Sequence, residues 1–173
     1  IGRLTKAKNF DNVPDICARL IHAGWPVKWY IIGFGSDQSL IEDRICEAQM
    51  ENNVFLLGEK ANPYPYIRHC DLYIQPSRYE GKSIAVREAQ ILHKPVVITR
   101  FPTADSQLKD GIDGLIVPMN NEDCAEGIAM LLGNPKKQLA LIRHCQSEDY
   151  STETEALKID QLFESSSVSP TIF

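Results

Sequence analysis

The sequence predicts an α/β fold: a Rossmann-like, doubly wound parallel sheet of about six strands with helices on both faces. Three observations lead there. Short apolar runs rich in β-branched and aromatic residues recur at 27–33, 54–57, 71–75, 95–99 and 114–117. Between them, apolar residues return at helical spacing. Glycine and proline punctuate the junctions, as at Gly24, Pro26, Gly33, Gly35, Gly58 and Pro118.

Each element has its own signal. Residues 1–4 read as the end of a first strand whose beginning lies upstream. The chain opens on Ile1 rather than a methionine, so a piece of a longer protein is expected. Phe10, Val13, Ile16, Cys17, Leu20 and Ile21 share one helical face, which predicts a helix over roughly 9–23. Pro14 is tolerated there because it falls near the first turn. The run 27–33 is a second strand, and Gly33-Phe34-Gly35 is a tight turn. Ser36 or Asp37 then caps a helix through about residue 50. A short buried strand at 54–57 ends at Gly58, a short helix covers 63–70, and a strand covers 71–75. A helix at 84–92, strands at 95–99 and 114–117, and helices at about 121–132 and 136–147 complete the pattern.

Strands that alternate with helices make a parallel sheet, and the usual strand order is 3-2-1-4-5-6. That order sets the first and fourth strands side by side at the switch point, where ligands bind beyond their carboxyl ends. The first strand ends at Arg3-Leu4, and the fourth ends just before Ser77. One domain is expected over 1–150. Residues 151–173 are expected to form a C-terminal helix and a Ser-rich frayed tail, with Ala156, Ile159, Leu162 and Phe163 on one helix face.

Composition narrows the function. At 173 residues the chain can bury roughly 70% of its unfolded surface, enough for a proper core. The net charge of −5 gives no electrostatic case for nucleic acid or an anionic membrane. Cys17, Cys46, Cys70, Cys124 and Cys145 are scattered without a C-x-x-C, which argues for reduced thiols and a cytoplasmic setting. His22, His69, His93 and His144 show no metal-ligand spacing. No apolar run approaches about 18 residues, so no membrane span is predicted, and no signal peptide pattern is present.

The most informative stretch runs from Pro76 to Ala89 and carries Glu80 on a loop and Glu88 about one turn into the following helix. Helix N-termini attract anions through free N–H groups and the macrodipole. Carboxylates accept from hydroxyls. Together these suit a sugar joined to a nucleotide through phosphates. Arg3 and Lys8, at the switch point opposite the Ser83-Ile84-Ala85 helix start, would grip a diphosphate from both sides. Two readings stay open for the glutamates: hydroxyl clamps, or an acid/base pair for glycoside hydrolysis. Gly33-Phe34-Gly35 is either a plain turn or a backbone approach to the nucleotide. Gln38 stands where a third glycine would complete G-x-G-x-x-G, so a nicotinamide or flavin site is disfavoured.

Four segments in order now carry a resemblance: Gly2-Arg3-Leu4 with Lys8; Ile32-Gly33-Phe34-Gly35; Val54-Phe55-Leu56-Leu57-Gly58; and Pro76-Ser77 with Glu80 and Glu88. Lys94-Pro95-Val96-Val97 and Asp113-Gly114-Leu115-Ile116-Val117 fit as well. Over about residues 1–145 the chain resembles the C-terminal, donor-binding half of a retaining GT-B glycosyltransferase of the "glycosyl transferases group 1" family.

The resemblance implies roles. Arg3 and Lys8 match the pair that binds the donor's phosphates, Glu80 the glutamate facing the transferred sugar, and Glu88 the one holding the ribose. Ser83, Ile84 and Ala85 match backbone N–H donors to the diphosphate, with Gly81 in the same donor loop. Leu57-Gly58 matches the edge that contacts the base. Gly33 and Gly35 match donor-side backbone. The family needs no metal and no cofactor. Its partners would be a nucleotide-sugar donor, the protein's own N-terminal acceptor-binding domain, and an acceptor sugar or glycolipid. Polysaccharide or glycolipid biosynthesis is the implied setting, and any contact with the inner face of a membrane would come through the missing half.

Two positions depart from the family pattern. Glu80-Gly81-Lys82-Ser83 stands where E-G-F-G or E-G-F-P is usual, and Asn9 replaces a common glycine. A hydrolysing nucleotide-sugar epimerase and a non-catalytic sugar-nucleotide module share the architecture and remain the alternatives.

Overall fold

Every strand pairing among the described residues is parallel, in a computed structural model that describes residues 1–148 and Tyr150. Strands β1 (Trp29–Ile31) and β2 (Val54–Leu56) form one sheet. Strands β3 (Tyr73–Gln75), β4 (Val96–Thr99) and β5 (Leu115–Val117) form a second, in the order β3-β4-β5. Helices α1 (Val13–His22), α2 (Gln38–Glu47), α3 (Tyr64–His69), α4 (Ile84–Ile91), α5 (Ala104–Gln107), α6 (Asn121–Leu132) and α7 (Pro135–Ser147) fill the connections. The helix expected at about 154–164 lies outside the described residues.

Local sequence accounts for most elements. Pro14 sits in the first turn of α1, where no N–H is needed, and Val13, Ile16, Cys17 and Leu20 bury one face. Asn120 and Asn134 cap α6 and α7, each side chain accepting a backbone N–H three residues on. In β4 all four positions are buried, as expected of a central parallel strand covered on both faces. The 9–23 prediction resolves into a 3-10 turn, Phe10–Asn12, followed by α1. The four-residue α5 has no counterpart in the sequence reading.

The parallel α/β class holds, and the strand count differs: among the described residues there are five strands in two sheets, not about six in one. Residues 1–4 do run parallel to Ile32–Phe34. The Gly2 N–H donates to the Ile32 C=O (3.0 Å) and the Leu4 N–H to the Phe34 C=O (2.8 Å). The return bond of a ladder, from the Phe34 N–H to the Gly2 C=O, is not made. The Gly33 N–H goes to the Gly58 C=O, and the Leu4 C=O accepts from the Asp37 N–H. The first segment is therefore laid beside β1 without becoming a strand.

Apolar packing bridges the two sheets. Ile16 and Leu20 of α1 join Val97, Val117, Ile128, Leu131 and Leu141 in one buried cluster. Buried thiols belong to this interior: desolvation pushes Cys17 up to about 11 and Cys124 up to about 12, which keeps them protonated and inert. Among the described residues, no helix is long and apolar enough to cross a membrane.

Candidate functional site

The seam between the sheets is crossed by polar contacts at one end, where β3 gives way to the 76–83 loop. Chain geometry delivers Lys8 there. The 3-10 turn Lys6–Lys8 is stopped by Asn9, which adopts a left-handed conformation (φ 60°). Asparagine tolerates that region better than most residues, which suits it to a position where the resemblance implied glycine. Asn9 is fully buried, and its Oδ1 accepts from Asn12 Nδ2 (2.7 Å).

Lys8 Nζ donates to Glu80 Oε1 across the seam, with both side chains mostly buried. The carboxylate is held from behind. Ser77 Oγ (3.1 Å) and Gln75 Nε2 (3.2 Å) both donate to the same oxygen. Gln75 also donates to Ser77 Oγ (2.9 Å) and accepts from the Tyr73 hydroxyl (2.9 Å). The Thr99 hydroxyl bonds the Ser77 carbonyl (2.5 Å), and Thr103 bonds the Glu80 carbonyl. Burial first, then the Glu88 and Glu80 charges, push the Tyr73 phenol up, so it keeps the proton it donates. A polar residue inside an apolar strand, Gln75, was the signal for this network in the sequence.

Helix α4 begins beside this pair. Ser83 is its N-cap residue, but the hydroxyl makes no capping bond. Its N–H donates to Gln107 Oε1 (2.5 Å), and Gln107 Nε2 returns a bond to the Ser83 carbonyl (3.5 Å). The N–H expected to face a ligand is thus already engaged. Ile84 and Ala85 sit in the first turn, where N–H groups have no intrahelical acceptor. Ile84 is 77% exposed, so this helix end is open to solvent. Glu88 lies one turn further, and its Oε1 accepts from the Tyr64 hydroxyl (3.0 Å). Gly81 is exposed with open space around it.

On the other side of the seam stand Arg3, Gly33, Gly35, Leu57 and Gly58. Arg3 is exposed and makes no ion pair among the described residues. A Cβ on Gly33 would stand 1.8 Å from the Gly2 oxygen, and one on Gly35 would stand 2.2 Å from the Leu4 oxygen. The chain's own backbone, residues 2–4, fills the space that both glycines leave. Gly58 is exposed at the end of β2 with φ +68°, tied by its carbonyl to Gly33. The structure thus brings Lys8 and Glu80 into contact and groups Arg3 with the two glycine turns. Glu80 and Glu88 make no bond to each other, and each has its own donors.

The sequence reading missed Arg78. Its guanidinium forms a fork on Asp11 (2.8 Å to each oxygen) and donates to the Lys6 carbonyl (2.8 Å). That bond holds the Asp11 carboxyl below the usual range, and Asp11 in turn pushes the guanidinium up.

The site thus sets a cation against a loop carboxylate, beside the open N-terminus of α4 at the end of a parallel sheet. A model of the family described as "Glycosyl transferases group 1" matches residues 1–147. The chain belongs to this family. Poly(ribitol-phosphate) alpha-N-acetylglucosaminyltransferase of Staphylococcus aureus (strain COL) is 29% identical over 170 residues, covering 95% of this chain and 34% of that protein. The N-acetylgalactosamine-N,N'-diacetylbacillosaminyl-diphospho-undecaprenol 4-alpha-N-acetylgalactosaminyltransferase of Campylobacter jejuni is 31% identical over 142 residues, 81% of this chain and 38% of that one. The solved structure of an S. aureus TarM variant with fondaparinux, alpha-GlcNAc-glycerol and UDP superposes with a TM-score of 0.81 at 28% identity, over 94% of this chain and 34% of that chain. The group 1 member described here therefore spans about a third of the length of these relatives. Its fold is of the GT-B glycosyltransferase kind.

Proposed function

We propose that the chain is the donor-binding domain of a retaining glycosyltransferase. It would hold a nucleoside-diphosphate sugar for transfer to an acceptor hydroxyl supplied through a separate N-terminal domain. The carrying observation is the Lys8–Glu80 pair at the seam, next to the open start of α4. Lys8 has three donors, so one can stay on Glu80 while others turn to a phosphate. Arg3 adds a planar fork from the facing loop. The free N–H groups of Ile84 and Ala85 complete an anion cradle. Gly81 gives the backbone room to approach the sugar, and Leu57-Gly58 offers a backbone edge to the base.

Transfer breaks the bond between the anomeric carbon and the diphosphate oxygen, and the bonding electrons leave with the phosphate. Arg3, Lys8 and the helix start stabilise the charge that develops there. Glu80 faces the sugar and accepts from its hydroxyls, and Glu88 does so for the ribose. The acceptor oxygen bonds to the anomeric carbon from the face the leaving group vacates, and its proton passes to the departing phosphate oxygen. This scheme needs no metal. The UDP held by the TarM variant makes uridine diphosphate the first nucleotide to test.

The test is calorimetry with UDP and uridine. Lys8→Ala or Arg3→Ala should weaken UDP binding far more than uridine binding. Equal losses for both ligands would refute the phosphate role. The chain alone should transfer no sugar, and robust transfer by it would sink the division of labour proposed here.

A further inference from the structure

We propose that Arg78 is the positioning residue of the phosphate-binding pair: through Asp11 and the Lys6 carbonyl it locks the crossover loop to the second sheet, and so sets where the Lys8 ammonium stands. The inference rests on the phosphate role given to Lys8 above.

Among the described residues, no strand pairing joins the two sheets. At the site end of the seam the polar ties are few. The Arg78 N–H (2.8 Å) and the Tyr79 N–H (3.3 Å) both donate to the Ala7 carbonyl. The Arg78 guanidinium reaches the Lys6 carbonyl and both Asp11 oxygens, each at 2.8 Å. The other ties are Lys8 to Glu80 itself and Asn121 Nδ2 to Asp15 Oδ2 (3.4 Å), between the first turns of α6 and α1. Lys8 therefore hangs between two anchored points, residues 6–7 and residue 11, and one side chain makes both side-chain anchors. Lysine is a point charge on a flexible stem, so its placement depends on the backbone that carries it.

Arg78 is committed to this task. Three of its N–H bonds are spent on the loop, and the Asp11 carboxylate neutralises its charge. The side chain has little left to offer a ligand. Its influence on phosphate binding must run through Lys8. The fork matters as well as the charge, because two parallel N–H to oxygen bonds fix an angle that a lone ammonium does not.

Calorimetry with UDP and uridine, on a small set of variants, separates the possibilities. Lys8→Ala should remove most of the preference for UDP, and its failure to do so counts against the proposed function. Arg78→Ala should weaken UDP binding about tenfold, leave uridine unchanged, and add nothing in the Lys8→Ala background. Arg78→Lys should lose nearly as much as Arg78→Ala. Additive losses in the double variant would make Arg78 a phosphate contact and overturn the proposal. Equal loss of uridine, or no loss at all, would overturn it too. Amide hydrogen exchange reads the lock without ligand. In Arg78→Ala the Lys8 and Asn9 N–H groups should exchange faster, while Val97 and Ile98 stay protected. Unchanged exchange at Lys8 and Asn9 would end the idea even if UDP did not bind.

Discussion

Tyr64 donates its hydroxyl to Glu88 at 3.0 Å, joining the first residue of α3 to the middle of α4 across 24 positions of sequence. The bond fixes one carboxylate oxygen and leaves Oε2 for a ligand. Hydrogen bonding to Glu88 first, then its charge, raise the Tyr64 phenol above its ordinary value of 10.0, so the proton stays in place at neutral pH. Tyr64→Phe should therefore free the Glu88 carboxylate to rotate. The bond is exposed, so solvent screens it and its loss should be modest. UDP affinity should fall a few-fold, while a 2′,3′-dideoxy nucleotide that offers no diol should be indifferent. Equal losses for both ligands would place Tyr64 on the base or phosphate instead.

Gln107 answers both backbone groups of Ser83, so its replacement should separate folding from binding. Gln107→Leu strands a buried N–H, which costs about 1–3 kcal/mol. At this chain length that lowers Tm by roughly 2–4 °C per kcal/mol. Gln107→Glu still accepts from the Ser83 N–H but sets a carboxylate at the foot of α4. It should melt closer to the parent protein and yet bind UDP worse than Gln107→Leu. The reverse order in either measurement would show that the Ser83 turn is not the phosphate end of the site.

Most helices were legible because their signals are local, while the four-residue α5 was too short to carry one. Apolar spacing with a proline near the first turn announces α1. Lys8 and Glu80 stood out because residue type and topology together made them suspects. Arg78 and Gln107 did not, because what gives them meaning lies 67 and 24 residues away. A partnership made by folding leaves no periodic trace. The first strand failed for a related reason. Extended residues 1–4 do lie beside residues 32–34, but the Phe34 N–H returns no bond to Gly2, so no ladder forms.

The Arg78–Asp11 pair should also write itself into the acid limb of stability. Its partner Arg78 holds the folded Asp11 carboxyl below the ordinary value of 3.8. A depressed carboxylate stabilises the fold above the unfolded value, and that contribution is lost as pH falls through the lower folded value. Asp11→Asn removes the contribution. The gap in Tm between parent and Asp11→Asn should be full at pH 7, constant down to about pH 5, and close below pH 4. A gap that persists unchanged into the acid range would mean that Asp11 acts through packing rather than charge.

Four glycines of the site make a graded test of what each is for. Gly81 has open space and no left-handed strain, so Gly81→Ala should shift stability by less than about 0.5 kcal/mol. Gly58 also has open space, but its φ of +68° is left-handed. Gly58→Ala should cost about 1–2 kcal/mol from backbone strain alone. At Gly33 and Gly35 a new Cβ would meet the Gly2 and Leu4 carbonyl oxygens at 1.8 Å and 2.2 Å, and backbone cannot swing aside like a side-chain tip. Gly33→Ala and Gly35→Ala should each cost at least about 3 kcal/mol. They should also weaken UDP binding, because the displaced segment carries Arg3 and leads to Lys8. Thermal unfolding and calorimetry on the same four variants decide the matter. If the alanines at 33 and 35 keep the parental Tm and lose only UDP, the two glycines serve the nucleotide directly. If Tm and affinity fall together there while Gly81→Ala changes neither, their task is to let residues 2–4 lie against β1.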